Sequence, residues 1–213
     1  MGSIAAKSRT SDPGPKDGEP VWEIAYLFPP QGRWSEEEFL TLDTNRLVEF
    51  THGAVKVLPM PTTFHQLIVG HLYGLLSSWC ILRKLGTVLF APMPVRLRGG
   101  RYREPDILFM LSAHAGRIKK NFWHGADLVM EVVSDDDLRR DFLTKRAEYA
   151  RAGIPEYWIV DPQHSTISVL HLKGTRYAVH GKFTLGEQAS SKLLPGFAVD
   201  VQTVFDRASG LPD

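Results

Sequence analysis

The chain has 213 residues, of which 43% are hydrophobic and 23% are charged, and its formal net charge is +1. This composition is typical of a globular protein with a sizeable core, and any basic surface for nucleic acid has to be local. Its single cysteine, Cys80, excludes an intramolecular disulfide and also cysteine-based zinc-finger and iron–sulfur sites. We therefore expect a reducing, cytoplasmic environment.

The first twenty residues are rich in glycine, proline, serine and charge, which predicts a disordered tail over residues 1–20. They contain no apolar stretch of the kind that a signal peptide needs. The longest nearly apolar run, Leu67–Leu76, is too short to cross a bilayer. These features predict a single domain over residues 21–213 that does not enter a membrane.

Capping, turn and periodicity signals predict the elements of the first half of the chain. Ser35 precedes three glutamates, which is typical of a helix start. His52-Gly53 predicts a hairpin turn between two apolar segments. Apolar residues then recur at spacings of three and four, and Gly86 is expected to end that helix. The predicted elements are a helix over 35–42, strands over 47–50 and 54–58, and a helix over 63–85.

The second half alternates apolar strand-like runs with one clear helical segment. Gly99-Gly100 indicates a turn between two strand regions, and Gly153 with Pro155 marks the end of the helix. The predicted elements are strands over 88–98, 102–110, 127–134 and 157–160, a helix over 138–152, antiparallel strands near 166–172, 177–180 and 182–185, and a short helix over 201–205. Strands interleaved with helices predict a mixed α/β fold.

Lys145 occupies a position that the apolar stripe of the helix over 138–152 assigns to the core. The stripe is formed by Leu138, Phe142, Tyr149 and Ala152. A lysine in that place points toward whatever the helix packs against, and perturbed lysines cluster at functional sites. The alternative is that Lys145 extends to solvent or pairs with Asp141 one turn earlier.

Two acidic residues stand in or beside apolar strands. Glu131 interrupts the run that begins at Leu128, and Asp106 directly precedes an apolar strand. A strand this apolar is expected to be covered on both faces, so Glu131 should be buried or lie in a cleft. The alternative is a pair of strand-end acids that face water or pair with arginines; Arg101 and Arg103 could serve Asp106.

Together, these residue types form a minimal set for phosphodiester hydrolysis. Two carboxylates on adjacent strands can hold Mg²⁺, which keeps several water ligands. The ion polarises a phosphoryl oxygen and lowers the pKa of a bound water. A lysine beside the carboxylates can orient that water or stabilise developing negative charge. Asp106, Glu131 and Lys145 are the candidates for these roles.

The order Pro105-Asp106, Glu131 and then a lysine resembles the PD-(D/E)XK nuclease superfamily. The closer resemblance is to the Uma2 family of restriction-endonuclease-like proteins, also called DUF820, and it spans about residues 33–200. The motifs that carry it are Glu131-Val-Val-Ser134, Asp141, Lys145, Tyr149, the run Gly153–Pro162, and upstream Glu49–Gly53 and His65-Gln66.

This resemblance implies a restriction-endonuclease-like core, with a central mixed β-sheet flanked by helices, and a Mg²⁺ or Mn²⁺ site. Asp106 and Glu131 are the implied metal ligands, Lys145 the catalytic lysine and Glu49 a supporting acid. The chain departs from the wider pattern at Val133, where the superfamily places its lysine. It also carries Asp135-Asp136-Asp137 after Ser134, where the family usually has proline, and an acidic run repels a phosphate backbone.

His65, Asp141 and Tyr149 are expected to border the site. The strongest candidates for DNA contact are four arginines, whose alternative role is a solvated hairpin face: Arg96, Arg98, Arg101 and Arg103. The function expected is a Mg²⁺-dependent endonuclease that cuts DNA as a homodimer. The first alternative is a non-catalytic module of the same fold that binds DNA or a protein. A carboxylate-pair hydrolase such as a glycosidase leaves Lys145 unexplained.

Overall fold

The computed structural model describes residues 28–44, 46–133 and 140–207, and of residues 140–142 it describes the backbone alone. The predicted tail over residues 1–20 lies outside these ranges. So do Ser134, the three aspartates that follow it, and Leu138, and the side chains of Asp141 and Phe142 are likewise not described.

Thirteen strands and four α-helices make up the described part of the chain. The strands are β1 Val48–Thr51, β2 Ala54–Val57, β3 Gly86–Phe90, β4 Val95–Leu97, β5 Arg101–Arg103, β6 Ile107–Leu111, β7 Trp123–His124, β8 Leu128–Val132, β9 Glu156–Asp161, β10 Thr166–Lys173, β11 Arg176–Phe183, β12 Gln188–Ser190 and β13 Ala198–Asp200. The helices are α1 Glu36–Leu40, α2 Thr63–Arg83, α3 Arg146–Ala152 and α4 Val201–Asp206, with a 3₁₀-helix over Ser112–Arg117 and a π-helix over Arg140–Lys145.

The central sheet has six strands in the order β11-β10-β9-β8-β6-β3. β8 and β9 run parallel, whereas the other neighbours are antiparallel, so the sheet is mixed as expected. β8 and β9 are buried along their whole length, because both faces of this sheet are covered. The mixed α/β architecture predicted from the sequence is therefore confirmed.

Side chains of β6 alternate between two cores. Ile107 and Phe109 pack on one face with α2 and α4, and Leu108 and Met110 pack on the other. The second core also contains Tyr149 of α3 together with residues of β4 and β7. Tyr149 therefore places α3 against β8, which carries Glu131, and against β6, which follows Asp106.

A smaller sheet has the order β2-β1-β5-β4-β7 and supplies residues from a distant part of the sequence. Its β1–β2 hairpin turns at His52-Gly53 as predicted, with φ angles of 48° and 80°. A Cβ on Gly53 would lie 2.6 Å from the carbonyl oxygen of Gly32, so glycine is required there for space as well as for its positive φ. The hairpin fixes the register of Glu49 opposite Lys56.

Several boundaries differ from the sequence-based expectations. α2 ends at Arg83 and is capped by Lys84, which has a left-handed φ of 53°, whereas Gly86 opens β3. The strand regions predicted over 88–98 and 102–110 each contain two strands, since proline has no N–H to donate to a sheet. The two strands predicted near 177–180 and 182–185 are one strand, β11. β7 was not predicted, because it has only two residues.

Within the described ranges, no helix has both the length and the apolar content that a membrane span requires.

Candidate active site

Two adjacent interior strands of the central sheet position the two predicted acids, Asp106 just before β6 and Glu131 within β8. Ile107 of β6 lies opposite Met130 of β8 in an antiparallel register, so Asp106 and Glu131 are the next opposed pair. The backbone N–H of Val132 donates to Asp106 Oδ2 at 2.7 Å, which fixes the Asp106 carboxylate against β8. The structure therefore places the Asp106 carboxylate beside β8, at the residue next to Glu131 in the chain.

Glu131 is buried and is held by two side chains from the following helical segment. Lys145 Nζ donates to Glu131 Oε2 at 2.7 Å, and the Tyr149 hydroxyl donates to Glu131 Oε1 at 2.6 Å. Lys145 and Tyr149 are four residues apart, so they lie on one helix face. Burial and the charge of Glu131 raise the pKa of Tyr149 well above its ordinary value, which keeps the phenol protonated as a donor.

The smaller sheet adds a third carboxylate from β1. Glu49 is 1% exposed, and its Oε1 lies 3.7 Å from Lys145 Nζ. Lys145, itself 5% exposed, thus stands between Glu131 and Glu49. The inward orientation that the stripe predicted for Lys145 is confirmed, and its partners include these two glutamates.

Charged side chains of alternating sign extend from Glu49 into the smaller sheet. Arg103 donates to both oxygens of Glu148, at 2.8 and 2.9 Å, and its Nε lies 3.8 Å from Glu49 Oε2. The Arg101 Nε lies 3.6 Å from Glu148 Oε1. Burying an unpaired charge costs free energy. Because carboxylates and cations alternate here, each buried charge has a neighbour of opposite sign, which offsets part of that cost.

Asp106 pairs with a histidine and not with the arginines considered from the sequence. His65 Nε2 lies 3.3 Å from Asp106 Oδ2. Burial lowers the pKa of His65, but the hydrogen bond and the charge of Asp106 outweigh it, so the pKa is raised overall. His65 stands in the first turn of α2, whose N-cap Thr62 accepts its backbone N–H. His65 thus lies beside Asp106.

The four arginines predicted to contact DNA do not form one surface. Arg103 is 4% exposed and bound to Glu148, so its assignment to a DNA-contacting surface is wrong. Arg96 is partly exposed and lies 2.7 Å from Glu36, Arg101 is partly buried near Glu148, and Arg98 is exposed. In the hairpin register, Arg96 opposes Tyr102 and Leu97 opposes Arg101. Arg96 therefore points to the opposite face from Arg101 and Arg103.

The oxygen donors present are compatible with a cation of the Mg²⁺ type. The described residues contain no group of three or more His, Cys, Asp or Glu side chains that could hold a metal. Mg²⁺ needs only one or two carboxylates, because it keeps several waters. Asp106 and Glu131 can supply that pair, since a carboxylate oxygen has a second lone pair beside the one that accepts a hydrogen bond.

Two members of the site were not identified from the sequence. Glu148 follows Lys145 by three residues, so helix spacing alone places it near the same face. Glu104, next to Pro105-Asp106, is 7% exposed and accepts a hydrogen bond from the Val48 N–H at 3.1 Å. Burial raises the pKa of Glu104 to about 7, against the opposing effect of that hydrogen bond. Nothing in its local sequence indicates this burial, which depends on β1.

Comparisons with known proteins bear on the fold and the family. A family model described as "Uma2: Putative restriction endonuclease" matches residues 36–202. The crystal structure of "a putative nuclease belonging to DUF820" from Anabaena variabilis ATCC 29413 is similar to this chain, with a TM-score of 0.65 and 16% sequence identity. The match covers 84% of this chain and 99% of that one. At that identity the likeness shows the fold.

A search of curated proteins found no match. The family model covers most of the chain, from α1 to α4, and so includes every residue of the site described above. The chain belongs to the Uma2 family, whose description is "Putative restriction endonuclease".

Proposed function

We propose that this chain is a Mg²⁺-dependent endonuclease that hydrolyses phosphodiester bonds in DNA. The observation that carries the proposal is the contact of Lys145 with Glu131, at 2.7 Å, on a strand whose next residue, Val132, donates its N–H to Asp106. Membership of a family described as a restriction endonuclease and a nuclease-like fold support it. A buried lysine and two acids on neighbouring strands have no evident purpose as packing.

The acids and the lysine have separate roles in this proposal. Asp106 and Glu131 hold the cation, which when bound polarises a phosphoryl oxygen and lowers the pKa of water. Lys145 stabilises the negative charge that develops on the phosphate, since a lysine ammonium carries three donors and can keep Glu131 while it does so. Glu49, 3.7 Å away, holds the ammonium in position.

Tyr149 and His65 position the two metal ligands. The Tyr149 hydroxyl fixes one oxygen of Glu131, and the Val132 N–H and His65 fix one oxygen of Asp106. Each carboxylate therefore has a fixed orientation in the site. Such pre-positioning reduces the reorganisation that binding and reaction require.

We also propose that two copies act together, one on each strand of a duplex that is locally opened. Each chain has one set of Asp106, Glu131 and Lys145, and the two strands of a duplex run in opposite directions. A two-fold dimer presents two identical sites in opposite orientations. Light scattering of the purified chain with and without duplex DNA measures this directly, and a strictly monomeric complex would contradict it.

The proposal is tested by Mn²⁺ titration calorimetry, in which Mn²⁺ stands in for Mg²⁺. We expect wild type to bind Mn²⁺ and Asp106→Ala to lose at least about tenfold in affinity, as ligand removal does at metal sites. Glu187→Ala, which removes an exposed acid near β12, is the matched control and should bind as wild type does. If wild type binds no Mn²⁺ and cleaves no DNA in Mg²⁺, the proposed function is wrong.

The competing function is a non-catalytic module of the same fold that binds DNA or a protein partner. Hydrogen bonds to both oxygens of Glu131 favour it, because they already satisfy that carboxylate. It predicts DNA binding that weakens steeply with salt and is unaffected by Asp106→Ala. The same calorimetry and a salt titration of DNA affinity separate the two functions.

A further inference from the structure

A cavity of about 360 Å³ adjoins the Asp106–His65 pair. It is bounded by α1 and the segment after it, by residues 59–61 before α2, and by residues 90–94 after β3. Asp106 and His65 both line it. A group held in this cavity would therefore lie next to a phosphate that reaches Asp106.

The wall of the cavity is mainly apolar. Phe39, Leu42, Val48, Met60 and Phe90 line it together with several prolines. Surfaces that follow a nucleic-acid backbone are rich in lysine and arginine. Among the described residues that line this cavity, Arg46 is the only one of either type. The wall thus suits a planar organic group better than it suits a row of phosphates.

Phe90 is the side chain best placed to stack on such a group. It is 51% exposed although it lines the cavity, and the ring of Tyr73 supports it edge-on at a centroid distance of 4.8 Å. Aromatic side chains bind unpaired bases by stacking, with little preference among the four bases.

Polar groups in the lining can meet the edge of a base. Gln66 and Asn121 are exposed residues whose amides carry both donors and acceptors. Glu104 also lines the cavity, and the Val48 N–H, which donates to its Oε2, holds it in place. Amide and carboxylate groups are the usual partners of base edges.

We propose that this cavity holds the base of one unstacked nucleotide, so that the enzyme acts on single-stranded or locally opened DNA in preference to an intact duplex. The inference rests on the proposed function. The volume lies near the lower limit of about 300–1,000 Å³ for organic-ligand pockets and fits one nucleotide unit. A base inside a duplex is stacked on both faces and enters such a pocket only when it leaves the stack.

Binding is measured first, by fluorescence anisotropy in EDTA, so that no cleavage occurs. The probes are a labelled oligodeoxynucleotide of about 12 nucleotides and the blunt duplex of the same sequence. We expect wild type to bind the single strand at least about tenfold more tightly than the duplex. Phe90→Ala should lose that preference, whereas Phe90→Trp should retain it, because indole also stacks.

Phe28→Ala is the matched control, since Phe28 is 43% exposed and does not line the cavity. It should bind both probes as wild type does. Thermal unfolding of each variant checks that the fold is retained. Equal affinity for the two probes, no binding of either, or a Phe90→Ala variant that behaves as wild type overturns the inference.

Cleavage in Mg²⁺ then separates this inference from the proposed function. Phe90-dependent binding of single strands without any cleavage contradicts the proposed function and leaves the cavity assignment intact. Cleavage of single strands and duplexes at equal rates, unchanged in Phe90→Ala, supports the proposed function and refutes the cavity assignment.

Discussion

The carboxylate of Glu131 has two strong donors, and each comes from a different turn of the helical segment that follows β8. Lys145 supplies charge and Tyr149 supplies a neutral hydrogen bond. A buried ion pair has a large desolvation cost, which its Coulomb energy only partly offsets. Such a pair is weak evidence for stability but good evidence for a site, since a pair of apolar residues would fill the same space at lower cost.

Replacing both members of the pair distinguishes its structural role from its chemical role. Lys145→Met leaves Glu131 buried without its cation, and we expect a loss of about 3–5 kcal/mol in the free energy of unfolding. The double variant Lys145→Met/Glu131→Gln should recover most of that loss while DNA cleavage stays at least about 100-fold below wild type. Urea denaturation and a cleavage assay measure the two effects. A double variant that regains activity would show that the lysine is only structural.

Glu104 predicts a pH dependence of stability. Burial is the main cause that raises its pKa from the ordinary 4.5 to about 7. Its contribution is therefore fully present below about pH 4.5 and is lost as the pH rises through 7. Relative to Glu104→Gln, wild type should lose up to about 3 kcal/mol of unfolding free energy between about pH 5 and pH 8. Urea denaturation in EDTA measures it, and a pH-independent difference between the two proteins would contradict it.

At the scale of elements, the run Gly153–Pro162 contributes to the fold through Glu156 of β9. This buried carboxylate accepts the Trp158 indole N–H, the Ser191 hydroxyl and the backbone N–H groups of Lys192 and Leu193, at 2.6–2.8 Å. It thereby fixes the loop between β12 and β13 against the central sheet. The family resemblance includes this run, but three of the four partners of Glu156 lie 35 to 37 residues away along the chain.

Glu156→Gln should lower the free energy of unfolding by about 3 kcal/mol, because an amide cannot accept all of these hydrogen bonds. Glu37→Gln, at an exposed position of α1, is the control and should change it by less than about 0.5 kcal/mol. Urea denaturation of both variants provides the comparison. An equal, small effect in both would show that Glu156 does not fix the loop.

The sequence predicted most elements because apolar periodicity and turn residues are local signals. α2, the His52-Gly53 hairpin and the buried β8 and β9 all follow from such signals. The separate strands β4 and β5 were not predicted, because a strand of three residues is too short to show a periodic pattern. Arg103 is buried because β5 lies between β1 and β4, and its partner Glu148 lies 45 residues away.

At the scale of the whole molecule, the site is built from residues of two sheets, and the sequence did not predict that these sheets would meet there. Asp106 and Glu131 come from the central sheet, Lys145 from the helical segment, and Glu49 from the smaller sheet. Strand order depends on contacts between distant segments, so only the family resemblance linked Glu49 to the other three. The inward position of Lys145, in contrast, followed from helix spacing alone.

The molecule as a whole has no strong charge to attract DNA, as its net charge of +1 predicted. Of the arginines on the β4–β5 hairpin, Arg98 is exposed, whereas Arg103 is buried within the site. We therefore expect the site and the cavity lined by Phe90 to contribute to the proposed affinity for nucleic acid.

Cleavage of labelled single-stranded and duplex oligodeoxynucleotides in Mg²⁺, by wild type and Asp106→Asn, tests the central claim most directly. Asparagine keeps an oxygen that can accept the Val132 N–H, so the fold should be unchanged. We predict that wild type cleaves DNA, that EDTA abolishes the reaction, and that Asp106→Asn is at least about 100-fold slower. Equal rates for the two proteins, or no cleavage of either substrate by wild type, would contradict the account.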